Sequence, residues 1–279
     1  MITYSFENRV RCHPKIWSFP AGEVGVRVLN HNPAHTVPEI VIRASLTSSD
    51  EIMQLFMVTD ALRRKFYNAK ISLVLGYVPY GRQDRVCEDG DSLSIAVFAQ
   101  LINSQNYEQV IICDPHSDVT PALFNKSVVY SQLTIFKDHF DHMFEWDESS
   151  NRILVAPDAG AAKKAALIAS GGKFSDVLYA VKNRDMATGE ITKLSLSGDV
   201  LGKDVVVIDD ICDGGRTFTE LADLLKKGGA KSMKLIVTHG IFSKGAKVLT
   251  DVYDEVYTTN TYHQDREGLV DGIYYVKII

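Results

Sequence analysis

The densest chemistry in the chain lies between positions 203 and 229, where two adjacent carboxylates, Asp209 and Asp210, are followed by Asp213, Gly214, Gly215, Arg216 and Thr217. Glycines just ahead of a helix let backbone N–H groups turn toward an anion at the positive end of the helix dipole, so this spacing suits a phosphate. The two acids would repel a bare phosphate at close range. A ligand with a phosphate at one end and vicinal hydroxyls at the other removes the conflict, because carboxylates accept hydrogen bonds from hydroxyls. Ribose 5-phosphate has that form. The other reading is a strand followed by a solvated acidic turn; the full series of strand, acid pair, glycine loop and helix favours a site.

The elements that must hold these groups flank them. Val205, Val206, Val207 and Ile208 make a β-branched run suited to a strand buried on both faces and ending at the acids. Phe218, Leu221, Leu224 and Leu225 recur at helical spacing as far as Gly228 and Gly229, and Thr217 with Glu220 has capping-box spacing.

The same order of strand, polar turn and helix recurs along the chain. Residues 71–75 read as a buried strand running into Tyr77-Val78-Pro79-Tyr80-Gly81-Arg82-Gln83-Asp84-Arg85, where Arg82 and Gln83 could meet phosphate oxygens and a purine edge, or belong to an ordinary polar loop. Residues 110–113 end at Asp114-Pro115-His116-Ser117-Asp118, and His116 could bind a metal or serve as a local hydrogen-bonding group. Residues 153–156 run into Pro157-Asp158-Ala159-Gly160 ahead of an alanine-rich helix. After a strand at 176–181, Lys182 and Arg184 open a polar stretch that either closes over a substrate or forms a surface hairpin. Nearer the start, Ser48 and Glu51 form a capping box for a helix with Ile52, Leu55, Phe56 and Leu62 on its apolar face. His139 and His142 read as structural.

Composition bounds the whole. The chain has 279 residues, 46% hydrophobic and 23% charged, with no apolar run near membrane-spanning length and no signal-like start. A soluble, cytoplasmic protein is expected, with no membrane partner. Cys12, Cys87, Cys113 and Cys212 form no CxxC pair, which favours reduced thiols over disulfides or zinc. A formal charge of −5 argues against a general nucleic-acid surface. The alternation predicts two α/β domains, 1–140 and 141–279, each a mainly parallel sheet flanked by helices, with the last residues returning to the first domain. Residues 137–151 are expected at the seam.

Taken together, Phe19 through Glu23, Pro79 through Arg85, Asp114-Pro115-His116, Pro157 through Gly160, Lys182 with Arg184, Asp209 through Thr217, Thr238-His239-Gly240 and Thr259-Asn260-Thr261 resemble, in order, segments of the ribose-phosphate pyrophosphokinase (PRPP synthetase) family. The resemblance covers nearly the whole chain. It implies two phosphoribosyltransferase-like domains and transfer of the β,γ-diphosphoryl group of ATP to the C1 hydroxyl of ribose 5-phosphate, giving phosphoribosyl pyrophosphate (PRPP) and AMP. By the same resemblance Arg82, Gln83, Asp84 and His116 bind ATP, and Phe19 and Glu23 hold the adenine from a partner subunit. His116 and Asp158 are linked to Mg²⁺, and Lys182 and Arg184 are the catalytic cations. Asp158, Asp209, Asp210, Asp213, Gly214, Gly215, Arg216 and Thr217 bind ribose 5-phosphate. A shared adenine site implies a homo-oligomer, a dimer or an assembly of dimers. The chain departs from the family at Ala21, at 114–118, and at Gly214, Gly215 and Arg216 of the phosphate loop, where Arg216 either adds a phosphate contact or points outward. Two other readings are a phosphoribosyltransferase consuming PRPP, which leaves Arg82 and Gln83 unexplained, and a non-catalytic regulatory subunit, which leaves Lys182 and Arg184 unexplained.

Overall fold

The computed structural model describes residues 1–6, 11–29, 38–140, 151–171, 173–184, 191–263 and 273–279. The chain divides into two compact units, Met1–Ser131 with Ile279, and Gln132–Ile278. Positions 141–150, with His142, and positions 185–190 of the polar stretch after Arg184 lie outside the described residues. Among the described residues no helix is long and apolar enough to cross a membrane.

In the first unit β1 (Ile2–Phe6) is followed by a two-stranded hairpin, β2 (Lys15–Ser18) and β3 (Val24–Arg27). Then come β4 (Glu39–Ala44), α1 (Ser49–Lys65), β5 (Lys70–Leu75), α2 (Ser94–Ser104), β6 (Val110–Cys113), α3 (Val119–Leu123) and β7 (Ser127–Tyr130). The main sheet has the order β1-β4-β5-β6-β7, parallel from β4 to β7, with β1 antiparallel at the edge. Runs such as Ile71, Leu73, Val74 and Leu75 are buried because helices cover a parallel sheet. Helix α1 lays Ile52, Leu55, Val58 and Leu62 into that core. Ser48 caps it by accepting from the Glu51 N–H, as expected. The Glu51 carboxylate, however, takes the Thr47 N–H and hydroxyl in place of closing the box on Ser48.

The second unit begins with a short helix, α4 (Gln132–Ile135), and a π-helical turn at Phe136–Phe140, which carries His139. It continues through β8 (Arg152–Ala156), α5 (Ala159–Ala169), β9 (Asp176–Arg184), β10 (Ile191–Leu196), β11 (Asp204–Cys212) and α6 (Arg216–Lys227). It ends with β12 (Ser232–Gly240), α7 (Lys247–Thr250), β13 (Glu255–Thr259) and β14 (Ile273–Val276). The sheet order is β10-β9-β8-β11-β12-β13-β14, parallel except where β10 turns back antiparallel on β9. From β8 the chain moves outward to β9 and β10, then returns to the other side of β8 as β11. That reversal makes the β8/β11 boundary a topological switch point, and the crevice beyond the carboxyl ends of these strands is where open α/β sheets bind ligands.

Two local expectations change here. The acids do not end the strand: β11 runs on to Cys212, because Ile211 and Cys212 continue the parallel register opposite His239 and Gly240 of the long neighbour β12. Nor does Thr217 cap α6. The helix starts at Arg216 with Gly215 as its cap, so Thr217 already lies inside the first turn, and Glu220 pairs with Arg216.

Candidate active site

Three carboxylates meet at the switch point. Asp209 is partly buried, and Asp210, on the next position of β11, is only 6% exposed. Burial, then the neighbouring Asp210 charge, with Asp158 adding to it, push the Asp209 carboxyl well above its usual range. Asp210 has a cation within reach: the Lys164 ammonium on α5 lies 3.8 Å from its Oδ2. Asp158, following β8, caps α5, its Oδ1 accepting the N–H groups of Gly160 at 2.9 Å and Ala161 at 3.2 Å. Behind the pair, the fully enclosed Gln132 side chain donates from Nε2 to the Asp209 carbonyl at 2.7 Å, so α4 fixes the backbone that displays the acids. The arrangement offers acceptor oxygens to a ligand rich in hydroxyls.

The loop from Cys212 to Arg216 completes the second half of this site. Gly215 holds φ 79, a left-handed conformation that glycine adopts without strain, and as the N-cap of α6 it brings no side chain to the helix head. The positive end of a twelve-residue helix therefore receives no side-chain acceptor from its N-cap residue. The turn after β12 braces the loop: Ile241 and Phe242 donate N–H groups to the Cys212 carbonyl at 2.8 and 3.1 Å, and Ser243 donates to the Asp213 carbonyl at 3.2 Å. Burial and the charges of Asp209 and Asp213 raise the Cys212 thiol to about 12, so it packs as a neutral group. Asp213 and Thr217 are half-buried beside the loop. Arg216 points outward: its guanidinium binds Glu220 one turn along at 2.7 Å and its side chain is 87% exposed.

Lys182 and Arg184 lie on the last three positions of β9, whose backbone pairs with β10 at Leu194 and Ile191 respectively. β9 and β10 pair antiparallel on either side of positions 185–190.

In the first unit the loops following β5 and β6 carry the remaining residues. Arg82 and Gln83 are exposed, whereas Asp84 is buried and receives the Arg85 guanidinium at 2.8 and 3.3 Å. The Arg85 hydrogen bond, assisted by Ser117 and by the charge of His116, holds the Asp84 carboxyl below its usual range despite burial. Asp84 and the His116 turn are thus brought together, beside the exposed Arg82 and Gln83. Phe19 and Glu23 sit at the tip of the β2/β3 hairpin, closed by Phe19 N–H to Glu23 carbonyl at 2.8 Å, with the Phe19 ring 49% exposed. Tyr80 (φ 63), Asp114 (φ 37) and Phe242 (φ 50) hold left-handed backbone in the loops after β5, β6 and β12. That conformation costs a non-glycine residue about 1–2 kcal/mol, and such strain gathers where loops are shaped for ligands.

Gln132 and Lys164 are not among the residues expected at the site. Neither has a local signal, since each meets the acids only through the tertiary fold; the Lys163-Lys164 pair in an otherwise alanine-rich helix is the nearest thing to a sign.

Comparison with known proteins gives a consistent result over both units. Residues 9–105 match the N-terminal domain of ribose phosphate pyrophosphokinase, and residues 130–268 match the phosphoribosyl transferase domain. The chain is 32% identical over 251 residues to a ribose-phosphate pyrophosphokinase of Thermococcus kodakarensis, covering 88% of this chain and 85% of the relative. It is 30% identical to that of Pyrococcus furiosus with the same coverage, 88% and 85%. In fold it is similar to the phosphoribosylpyrophosphate synthetase of Mycobacterium smegmatis, with a TM-score of 0.80 at 23% identity, covering 95% of this chain and 86% of that one.

Proposed function

The chain belongs to the ribose-phosphate pyrophosphokinase family, and on that premise we propose that it transfers the β,γ-diphosphoryl group of ATP to the C1 hydroxyl of ribose 5-phosphate, forming PRPP and AMP. The observation that carries this reading is the pairing, at one switch point, of an acid pair with a helix N-terminus whose N-cap is a left-handed glycine. One end of that crevice suits ribose hydroxyls and the other a phosphate.

In this account Asp209 and Asp210 accept hydrogen bonds from the ribose hydroxyls, with Lys164 keeping a positive charge beside Asp210. Asp213, Gly214, Gly215 and Thr217 form the 5-phosphate cradle, dominated by N–H groups at the head of α6. Arg82 and Gln83, exposed on the loop after β5, bind ATP together with Asp84, which holds Arg85, and with His116. Phe19 and Glu23, on an open hairpin tip, reach the adenine of a second copy, which makes the enzyme a homo-oligomer. It acts in the cytoplasm on small substrates.

The reaction needs positioning and charge compensation. As the C1 hydroxyl oxygen attacks the β-phosphorus and its proton passes to solvent, the bond from that phosphorus to the α-phosphate oxygen breaks, and negative charge grows on departing AMP and on the transferring oxygens. Lys182 and Arg184 stabilise that charge more in the transition state than in the ground state. Asp158 commits Oδ1 to the α5 N–H groups and would offer Oδ2, a hard oxygen ligand of the kind Mg²⁺ takes, and His116 stands at the family's other Mg²⁺-linked position. When bound, Mg²⁺ neutralises phosphate charge on ATP. The purified chain with Mg²⁺, ATP and ribose 5-phosphate is expected to form AMP at a rate that depends on both substrates. Consumption of PRPP with a purine base, without AMP formation from ATP, would overturn this reading in favour of a phosphoribosyltransferase.

A further inference from the structure

Arg216 is turned away from the phosphate loop, yet the loop is not without a cation. A β carbon built on Gly214 would lie 3.5 Å from both Cδ and Cε of Lys244, so the Lys244 stem runs along the Gly214 backbone and ends one bond short of its ammonium beside the loop. The placement is imposed by the fold. Ile241, Phe242 and Ser243 are bonded to the carbonyls of Cys212 and Asp213, and left-handed Phe242 and Gly245 (φ 81), with the Gly245 N–H on the Phe242 carbonyl at 2.8 Å, turn the chain so that residue 244 faces the loop. The next residues seal the same side, since Val248 and Leu249 each approach the Gly215 β-carbon position at 3.3 Å.

Charge pairing separates Lys244 from its neighbours. Arg216 is bound by Glu220, Lys247 by Asp251 and Lys164 by Asp210, whereas Lys244 has no acidic partner among the described residues. A lysine held along a glycine loop at a helix N-terminus is placed as phosphate-binding lysines are, as a flexible point charge that supplements backbone N–H groups. We infer that Lys244 is a further ribose 5-phosphate-binding residue of this chain, contributing the cationic contact to the 5-phosphate that Arg216 does not make. This rests on the proposed function above.

The test is steady-state kinetics with Lys244→Gln, Lys244→Arg and, as a control of equal charge change on the same surface, Lys247→Gln. Lys244→Gln is expected to raise KM for ribose 5-phosphate about tenfold, the worth of one charge-assisted hydrogen bond, with kcat and KM for ATP within about twofold of wild type. Lys244→Arg should recover most of the loss and Lys247→Gln should show none. The wild-type KM should also rise more steeply with salt than that of Lys244→Gln. Wild-type activity with an unchanged KM in Lys244→Gln, or an equal loss in Lys247→Gln, overturns the inference while leaving the proposed function standing. A wild type that neither binds ribose 5-phosphate nor forms AMP fails the functional reading itself, and the inference with it.

Discussion

Replacing Asp209 by Asn should make the protein more stable and a poorer enzyme, with a pH signature that identifies the cause. Asp209 sits partly buried on β11, with Asp210 beside it and Asp158 across the switch point, and burial and these charges raise its pKa well above the usual carboxylate range. The charged form is thus held at a cost in the folded state. Asn keeps the shape and still offers an oxygen to the Asp210 N–H, which Asp209 Oδ1 accepts at 2.9 Å. Removing the charge should stabilise the protein by about 1 kcal/mol, typical of relieving a strained functional group, or roughly 2–4 °C in Tm for a chain of this size. A carboxyl whose folded pKa is raised favours folding in acid: its contribution is fully present below the unfolded value of about 4 and is lost as pH rises through the folded value. Asn does not titrate. The thermal advantage of Asp209→Asn should therefore vanish near pH 4 and grow toward pH 8. The same change removes a charge-assisted hydrogen bond to the ribose, about 1.5–3 kcal/mol, and should weaken ribose 5-phosphate binding about 10- to 100-fold. Thermal unfolding from pH 4 to 8 and calorimetric titration of ribose 5-phosphate measure both. A variant that melts below wild type at pH 8, or one that binds ribose 5-phosphate normally, refutes the reasoning.

Two further outcomes follow from the same geometry. Gly215→Ala forces a β carbon into φ 79 and against Val248 and Leu249 at 3.3 Å; it should cost about 1–2 kcal/mol of stability and raise KM for ribose 5-phosphate, read by denaturant unfolding and kinetics, and an unchanged KM would remove the loop from the phosphate site. Lys182→Ala and Arg184→Ala should each lower kcat by about 100-fold, the scale of one lost transition-state contact, while ribose 5-phosphate affinity measured by titration stays near wild type; parallel losses in both quantities would make them ground-state binding residues.

The parts of the fold that were legible in the sequence are those fixed by local pattern. The β-branched run at 205–208 and the apolar run at 71–75 announce buried strands because parallel sheets bury both faces, and Ser48 announces the start of α1 because its hydroxyl meets the Glu51 N–H. What failed locally was decided at longer range. The acids look like a strand end, yet β12 extends the ladder past them to Cys212. Thr217 and Glu220 look like a capping box, but the helix starts two residues earlier, behind the left-handed Gly215, and Arg216 takes the glutamate. Gln132, Lys164 and Lys244 come to the crevice from α4, α5 and the turn after β12, so no spacing in the sequence could join them to Asp209. The tip residues Phe19 and Glu23 were visible only through the family pattern, since the hairpin itself presents an ordinary exposed turn.

The central claim is that the acid pair and the loop at the head of α6 hold an acceptor for a diphosphoryl group. The most direct measurement is product analysis with ATP labelled separately at the α- and β-phosphates, in the presence of Mg²⁺ and ribose 5-phosphate. The account predicts that the β label appears in PRPP and the α label in AMP, in equal amounts. Label appearing in ADP with a singly phosphorylated sugar, or no transfer while both ligands bind, would contradict it.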